Sequence, residues 1–228
     1  MKSETCTMGS AERSLPGDFF ARPTPEVARA LIGVQLWVAV GTETVAGRVV
    51  ETEAYLGSDD PASHAAAGAT PRSAVMFGPP GRVYVYFIYG VHHCLNLVTE
   101  AEGRAGAVLL RALEPLAGCE VMARRRAAGR GGRSIGHALP RHRLCNGPGK
   151  LCQAFGIDLT WNGLSLGPAS EAQRHIWCVP GTVARQVVAT PRIGIRRARK
   201  QRLRFIDPDS DCLTRSLTST QGNTSVLP

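Results

Sequence analysis

Residues 34–56 read VQLWVAVGTETVAGRVVETEAYL. Val34, Leu36, Val38 and Val40 alternate with other residues, the period-two pattern of a half-buried strand. Gly41-Thr42-Glu43-Thr44 is turn chemistry, and Val45 to Tyr55 reads as the return strand of a hairpin. Val83 to Tyr89 (VYVYFIY), Leu95 to Thr99 and Ala107 to Ala112 have the β-branched and aromatic content of further strands. Two more strands are expected near Thr182 to Thr190 and Leu203 to Ile206. Helical signals are fewer. Thr24-Pro25 reads as the N-cap and first-turn proline of a helix that buries Val27, Ala30 and Leu31 and stops at Gly33. Others are expected from Cys119 to Arg126 and from Pro148 to Gly156. The strands lie close together in sequence with no βαβ alternation. That favours a single α+β domain with a mostly antiparallel sheet flanked by helices.

The chain has 228 residues, room for one domain or two small ones. No linker parts it. Residues 1–14 and 208–228 are polar and aperiodic and read as loose tails around a domain at 15–207. Arg124 to Arg133 (RRRAAGRGGR) reads as an exposed, flexible loop. No run approaches the ~20 apolar residues of a membrane span, and the N-terminus lacks the apolar core of a secretory signal. Seven scattered cysteines, none spaced CxxC, argue against a disulfide framework or a zinc ribbon and suit a reduced compartment. A cytoplasmic, nucleoid-associated or nuclear place is expected. Lys plus Arg is 27 against 18 Asp plus Glu, a net charge of +9. Only Lys2, Lys150 and Lys200 are lysine. Arginine holds phosphate with paired hydrogen bonds, so nucleic acid is the first partner to consider.

Several residue groups could carry chemistry. Period two puts Glu51, Glu53 and Tyr55 on one strand face, the carboxylates roughly 7 Å apart. They are either an acid/base pair for glycosidic hydrolysis or a solvated face, and spacing does not choose between the glutamates. The turn-rich LGSDDPASH that follows can return His64 toward them. Tyr84 and Tyr86 share a strand face, and Tyr89 falls on the other beside Gly90. The four tyrosines cluster near the glutamates, which suits a stacking platform for flat bases. His92, His93 and Cys94 are adjacent and point to opposite strand faces, so they cannot all ligate one ion. Asn96, between two leucines, is a structural bridge or a reader of a ligand edge. Arg111 follows an apolar run and is either a structural ion pair with Glu114 or another acid, or a partner that orients a catalytic carboxylate or its water. NGPGKLCQAFGI, residues 146–157, is a glycine-rich entry to a helix that is either a plain helix start or a phosphate contact beside Lys150.

Together these segments resemble the alkyladenine (3-methyladenine, or methylpurine) DNA glycosylase family. The matching pieces are FFARPTPEVARALIG, GRVVETEAYLG, DDPASHA, TPR with MFGPPGRVYVYFIYG, HHCLN, GAVLLRALEP, NGPGKLCQAFGI and RIGI. They run in the family's order from about residue 15 to 206. Ser73 stands where the family usually has Asn. The resemblance implies a curved antiparallel sheet, a monomer, and no cofactor or metal. It implies excision of 3-methyladenine, 7-methylguanine, hypoxanthine and ethenoadenine from double-stranded DNA, leaving an abasic site. The second glutamate, Glu53, would be the general base. Tyr55, Ala62, His64, Tyr86 and Asn96 would meet the flipped base. Tyr89 would fill the gap in the duplex. Arg111 and the backbone of Ile193 would help hold the attacking water.

Candidate phosphate contacts are Arg124, Arg125, Arg126, Arg130, Arg133, Lys150, Arg196, Arg197, Arg199 and Lys200. Two rivals stand beside this reading. A non-catalytic nucleic-acid-binding protein needs no particular carboxylate, and a hydrolase of free nucleosides needs neither Tyr89 nor the net charge.

Overall fold

The computed structural model describes residues 13–129, 139–167 and 174–214. The opening hairpin is its organising element. β1 (Gln35–Val40) turns through Gly41, at φ 57°, into the 14-residue β2 (Glu43–Leu56). β2 is long enough to serve several partners. One edge pairs with β1 and then, over Glu51–Glu53, with the short β8 (Arg204–Ile206). The other edge pairs with β5 (Gly106–Ala117). β3 (Val83–Ile88), β4 (His92–Val98), β6 (Arg174–Val179) and β7 (Val188–Thr190) complete the sheet. The order is β3-β4-β5-β2-β1-β6, with β8 against β2 and β7 against β8, and every pairing is antiparallel. The result is one α+β domain with a curled, half-barrel sheet. Of the helices α1 (Gly17–Phe20), α2 (Thr24–Ala30), α3 (Cys119–Ala128) and α4 (Pro148–Phe155), α2 and α4 cover one face. Leu31, Leu36, Leu95, Leu110 and Phe155 form the core between.

Two bulges decide what the other face displays. Val49 pairs with Leu113, Glu51 with Ala112 and Thr52 with Leu110, so Val50 is extra on β2 and Arg111 is extra on β5. Before the bulge the odd residues Val45 and Val49 face the core; after it Ala54 does, and Thr52 donates its hydroxyl to the Ala28 carbonyl at 2.8 Å. Unbroken alternation from Val45 would have driven Glu51 and Glu53 into the apolar layer. The extra residue turns them, with Tyr55, to the opposite face, and re-aims Arg111 toward them.

The structure differs from the sequence expectations in several places. Thr24 is not a capping residue. It lies inside α2, and its backbone N–H and hydroxyl both donate to Glu100, at 2.7 and 2.8 Å. The cap is therefore a carboxylate 76 residues away, which no local pattern reveals. β6 was not foreseen. Its run RHIWCV is short, and its place is set by β1, where Trp177 lies opposite Trp37 with ring centroids 6.0 Å apart. The strand expected from Thr182 is only Val188–Thr190. The Arg/Gly segment begins as helix: α3 continues through Ala128. Residues beyond Pro208 are not all loose, since Cys212 and Leu213 are buried against Val50, Ala112 and Ile206. The expected tails at 1–12 and 215–228 lie outside the described residues. Ser73, where the family usually has Asn, is buried and donates to the Gly68 carbonyl while exchanging bonds with Thr70.

Candidate active site

Alternation on three neighbouring strands builds one wall. Tyr84 and Tyr86 of β3, Cys94 and Asn96 of β4, and Leu109 and Arg111 of β5 face a cavity of about 450 Å³. Small-molecule pockets fall in this range. Tyr55 extends the wall from β2, Ala62 and His64 come from the loop after it, and Ile193 from the loop before β8. Arg196 and Arg197 are exposed and also line the opening.

Glu53 lies beneath this wall, fully buried. Its Oε1 accepts the Ile193 N–H at 2.7 Å. Its Oε2 accepts the Tyr55 hydroxyl at 2.8 Å and Arg111 Nη1 at 3.2 Å. All three donors line the cavity, so the carboxylate is one residue-layer from it. Arg111 also donates Nε to Glu51 at 2.9 Å; it pairs with both glutamates and not with Glu114, which Arg48 holds. Glu51 has different company. Arg204 Nε donates to it at 2.7 Å and the Thr214 N–H at 2.7 Å. Burial pushes the Glu51 pKa up, but Arg111 and Arg204 outweigh it and hold the carboxyl below the usual range. Burial and then the Glu53 charge push Tyr55 up, keeping its hydroxyl a donor.

The aromatic part is equally connected. His64 Nδ1 and the Tyr84 hydroxyl are 2.8 Å apart, and the His64 ring meets Tyr86 edge-on at 4.6 Å. Partial burial and the charge of Arg72 lower the His64 pKa to about 4, so the imidazole is neutral near pH 7. Tyr84 is buried and serves His64, a role beyond core filler. Asn96 donates Nδ2 to the Tyr84 carbonyl at 3.0 Å, which fixes its carboxamide while its side chain still borders the cavity.

Tyr89 does not fall on the β3 strand face. Tyr89 and Gly90 both have positive φ, 56° and 68°, and the Val91 N–H returns to the Ile88 carbonyl at 3.3 Å. The two positive-φ residues make a turn of the primed kind within the three-residue connection between the paired Ile88 and His92. It lifts the tyrosine to the tip, 80% exposed at the cavity mouth. Gly149, at the start of α4, fits against His92 of the same hairpin, where a Cβ would come within 2.9 Å of the ring.

The arginines divide. Arg126 is buried and bonds Gln153, which removes it from the candidate phosphate contacts. Arg124 and Arg125 pair with Glu43 at the β1–β2 turn and do not line the cavity. Lys150 donates to Asn146 at 2.8 Å, beside the cavity residues Pro148 and Gly149. Arg196, Arg197, Arg199 and Lys200 are exposed, while Arg130 and Arg133 lie outside the described residues. Among the described residues no three His, Cys, Asp or Glu side chains gather as metal ligands, and no helix is long and apolar enough to cross a membrane.

Sequence reasoning missed four supporting groups: Arg204 and the Thr214 amide on Glu51, Arg72 lying 5.1 Å over the Tyr86 ring, and the buried Asp60–Arg192 pair. Only Asp60, in a turn-rich run, carried a local signal.

The chain is also similar in sequence to named proteins. The model of the methylpurine-DNA glycosylase family matches residues 18–211. A relative from Methanocella arvoryzae, with the inferred name 3-methyladenine DNA glycosylase, is 44% identical over 204 residues, 88% of this chain and 96% of its own. Relatives with the same inferred name from Rhodopseudomonas palustris (strain HaA2) and Myxococcus xanthus are 48% and 43% identical, covering 82% and 79% of this chain and 83% and 81% of theirs. With a buried carboxylate beneath a tyrosine-lined cavity and a match along nearly its whole described length, the chain belongs to the methylpurine-DNA glycosylase family, the DNA-repair hydrolases of N-glycosyl bonds.

Proposed function

We propose that this glycosylase excises 3-methyladenine, 7-methylguanine, hypoxanthine and ethenoadenine from duplex DNA, acting as a monomer without a cofactor. The observation that supports this most directly is the Glu53 carboxylate, held by Ile193, Tyr55 and Arg111 under the aromatic cavity. A base inside the duplex is out of reach, so the lesion rotates out, at roughly a few kcal/mol, less for a mispaired or damaged purine. Tyr89, raised on its turn, fills the gap and offsets part of the lost stacking. Tyr55, Tyr86 and His64 then grip the base by its faces, at roughly 1–3 kcal/mol per stacked contact. A cationic alkylated purine gains further cation–π attraction.

The glycosidic bond breaks toward an oxocarbenium-like sugar. Water enters the cavity floor near Arg111 and Ile193. Glu53 takes its proton and stabilises the positive sugar, the hydroxyl adds to the anomeric carbon, and the bond electrons leave with the base. An alkylated purine, already positive, departs neutral. Among the described residues no lysine lines the cavity, and the reaction ends at an abasic site without a Schiff base. With genomic DNA as the substrate, a cytoplasmic or nucleoid location in a prokaryote, or a nuclear one, fits this reading.

The test uses a duplex carrying a single hypoxanthine, with abasic sites cut by alkali. Wild-type protein should yield strand scission without added metal. Glu53→Gln keeps shape and removes the base; it should abolish scission while damaged-duplex binding remains. Binding without scission by the wild type would favour a non-catalytic DNA-binding protein instead.

A further inference from the structure

We propose that Arg192 is the positioning residue that holds the base-gripping and water-activating halves of this site in one register, an inference that rests on the function proposed above. Both Arg192 and Asp60 side chains are completely buried. Arg192 Nη1 donates to Asp60 Oδ2 at 2.5 Å and to the Ala54 carbonyl at 2.9 Å; Nη2 donates to Asp60 Oδ1 at 2.8 Å and to Gln201 at 3.3 Å. The guanidinium lies 4.7 Å over the Tyr55 ring and does not line the cavity, so it backs the ring on the face away from it.

A buried ion pair is a weak source of net stability, because desolvating two charges offsets most of their attraction. The consequence of this one is geometric. Asp60 also accepts the Leu56 N–H at 3.2 Å and the Ala62 N–H at 3.1 Å, which folds the loop that presents Ala62 and His64. Arg192 thereby joins that loop to β2 and to the back of Tyr55. Its own next peptide is the Ile193 N–H that donates to Glu53. Side chain and following amide thus grip two adjacent residues of β2, Ala54 and Glu53, and the amide cannot shift without moving the guanidinium. The planar fork is needed for this. A lysine ammonium is a single point and cannot serve both carboxylate oxygens, the carbonyl and the ring face at once.

Loss of the fork should show at Glu53. Its surroundings comprise Tyr55 and Glu51 on β2, Arg111 on β5, Cys94 on β4, Arg204 opposite on β8, and the Arg192–Ile193 loop. A misaligned Ile193 N–H leaves the carboxylate short of a donor and free to drift from the water it must reach. Arg192→Lys keeps the charge and should cut single-turnover excision of hypoxanthine by on the order of 10- to 100-fold. Affinity for the damaged duplex should change little. The loss should therefore sit in the single-turnover rate constant and not in the dissociation constant. Asp60→Asn keeps the shape of the clamp, should act in the same direction more weakly, and decides the matter if Arg192→Lys melts below the assay temperature. A rate that falls only with the folded fraction, or that falls in step with duplex affinity, would make the pair merely structural and overturn the proposal. Wild-type protein inert on both hypoxanthine and 7-methylguanine duplexes would instead refute the function itself.

Discussion

Glu51 and Glu53 are two residues apart and equally buried, yet their company separates them. Glu51 answers to two arginines and the Thr214 amide, all of them outside the cavity lining except Arg111. Glu53 answers to three donors that line it. Glu51→Gln should therefore act mainly on stability, costing about 3 kcal/mol as two buried guanidiniums lose a shared anion, with excision by the folded protein affected far less than by Glu53→Gln. The pH dependence has a definite sign. The folded pKa of Glu51 lies below its ordinary value, so its contribution is complete above about pH 4.3 and lost as pH falls through the lower folded value. The melting-temperature gap between wild type and Glu51→Gln should be widest near pH 7 and close below about pH 4. A gap that stays constant to pH 3 would contradict the ion-pair account.

Asn96 belongs to the same scale. Stacking tolerates any purine, so discrimination must come from the base edge. Hypoxanthine lacks only the 2-amino group of guanine. A carboxamide anchored on the Tyr84 carbonyl cannot swing aside for that group, and burying it unpaired costs roughly 1–3 kcal/mol. Asn96→Ser should raise excision of guanine relative to hypoxanthine by about 10-fold on that penalty. If both rates fall together, the amide serves only its strand.

At the scale of elements, irregularities do most of the positioning. The paired bulges on β2 and β5 turn two glutamates out of the core and an arginine toward them. The β3–β4 turn holds a bulky residue at φ 56°, a conformation that costs a non-glycine residue of order 1–3 kcal/mol. The surrounding hairpin sustains that strain, and its effect is to hold an aromatic ring in solvent. Tyr89→Ala should weaken excision from fully paired duplex much more than from single-stranded or mispaired substrate, where less stacking is broken. Equal losses on all three would assign the residue to hairpin stability.

At the scale of the molecule, the +9 charge is unevenly useful. Arg48, Arg111, Arg192 and Arg204 are spent on internal carboxylates, and Arg126 on Gln153. The exposed run Arg196, Arg197, Arg199 and Lys200 follows the cavity-lining loop and is the better candidate for phosphate. If these four cations each neutralise one phosphate, log affinity should fall with log salt at a slope of about −3.6. Replacing Arg196 and Arg197 by alanine should flatten it by about 2. A slope unchanged by that double substitution would place the phosphate track elsewhere.

Local pattern determined most of the strands, though not β6, because period-two alternation survives in VQLWVAV and VYVYFIY whatever surrounds them. It also pointed to the antiparallel α+β class, since β1–β2, β3–β4 and β4–β5 are joined too tightly for crossover helices. Tyr84 and Tyr86 shared a face on paper for the same reason, and they share the cavity wall. Alternation could not carry past Val50, because a bulge shows itself only against the partner strand's register. Glu51, Glu53 and Tyr55 share a strand face as period two predicts, but they reach it through that break, and the glutamates are buried and not on a solvated face. Nor could it show that Arg126 is internal, that Glu100 caps α2, or that Thr214 holds Glu51. Each of these is a contact between residues far apart in the chain, where the energy of satisfying a buried charge or N–H outweighs any local propensity. Only the folded structure decides which distant group satisfies it.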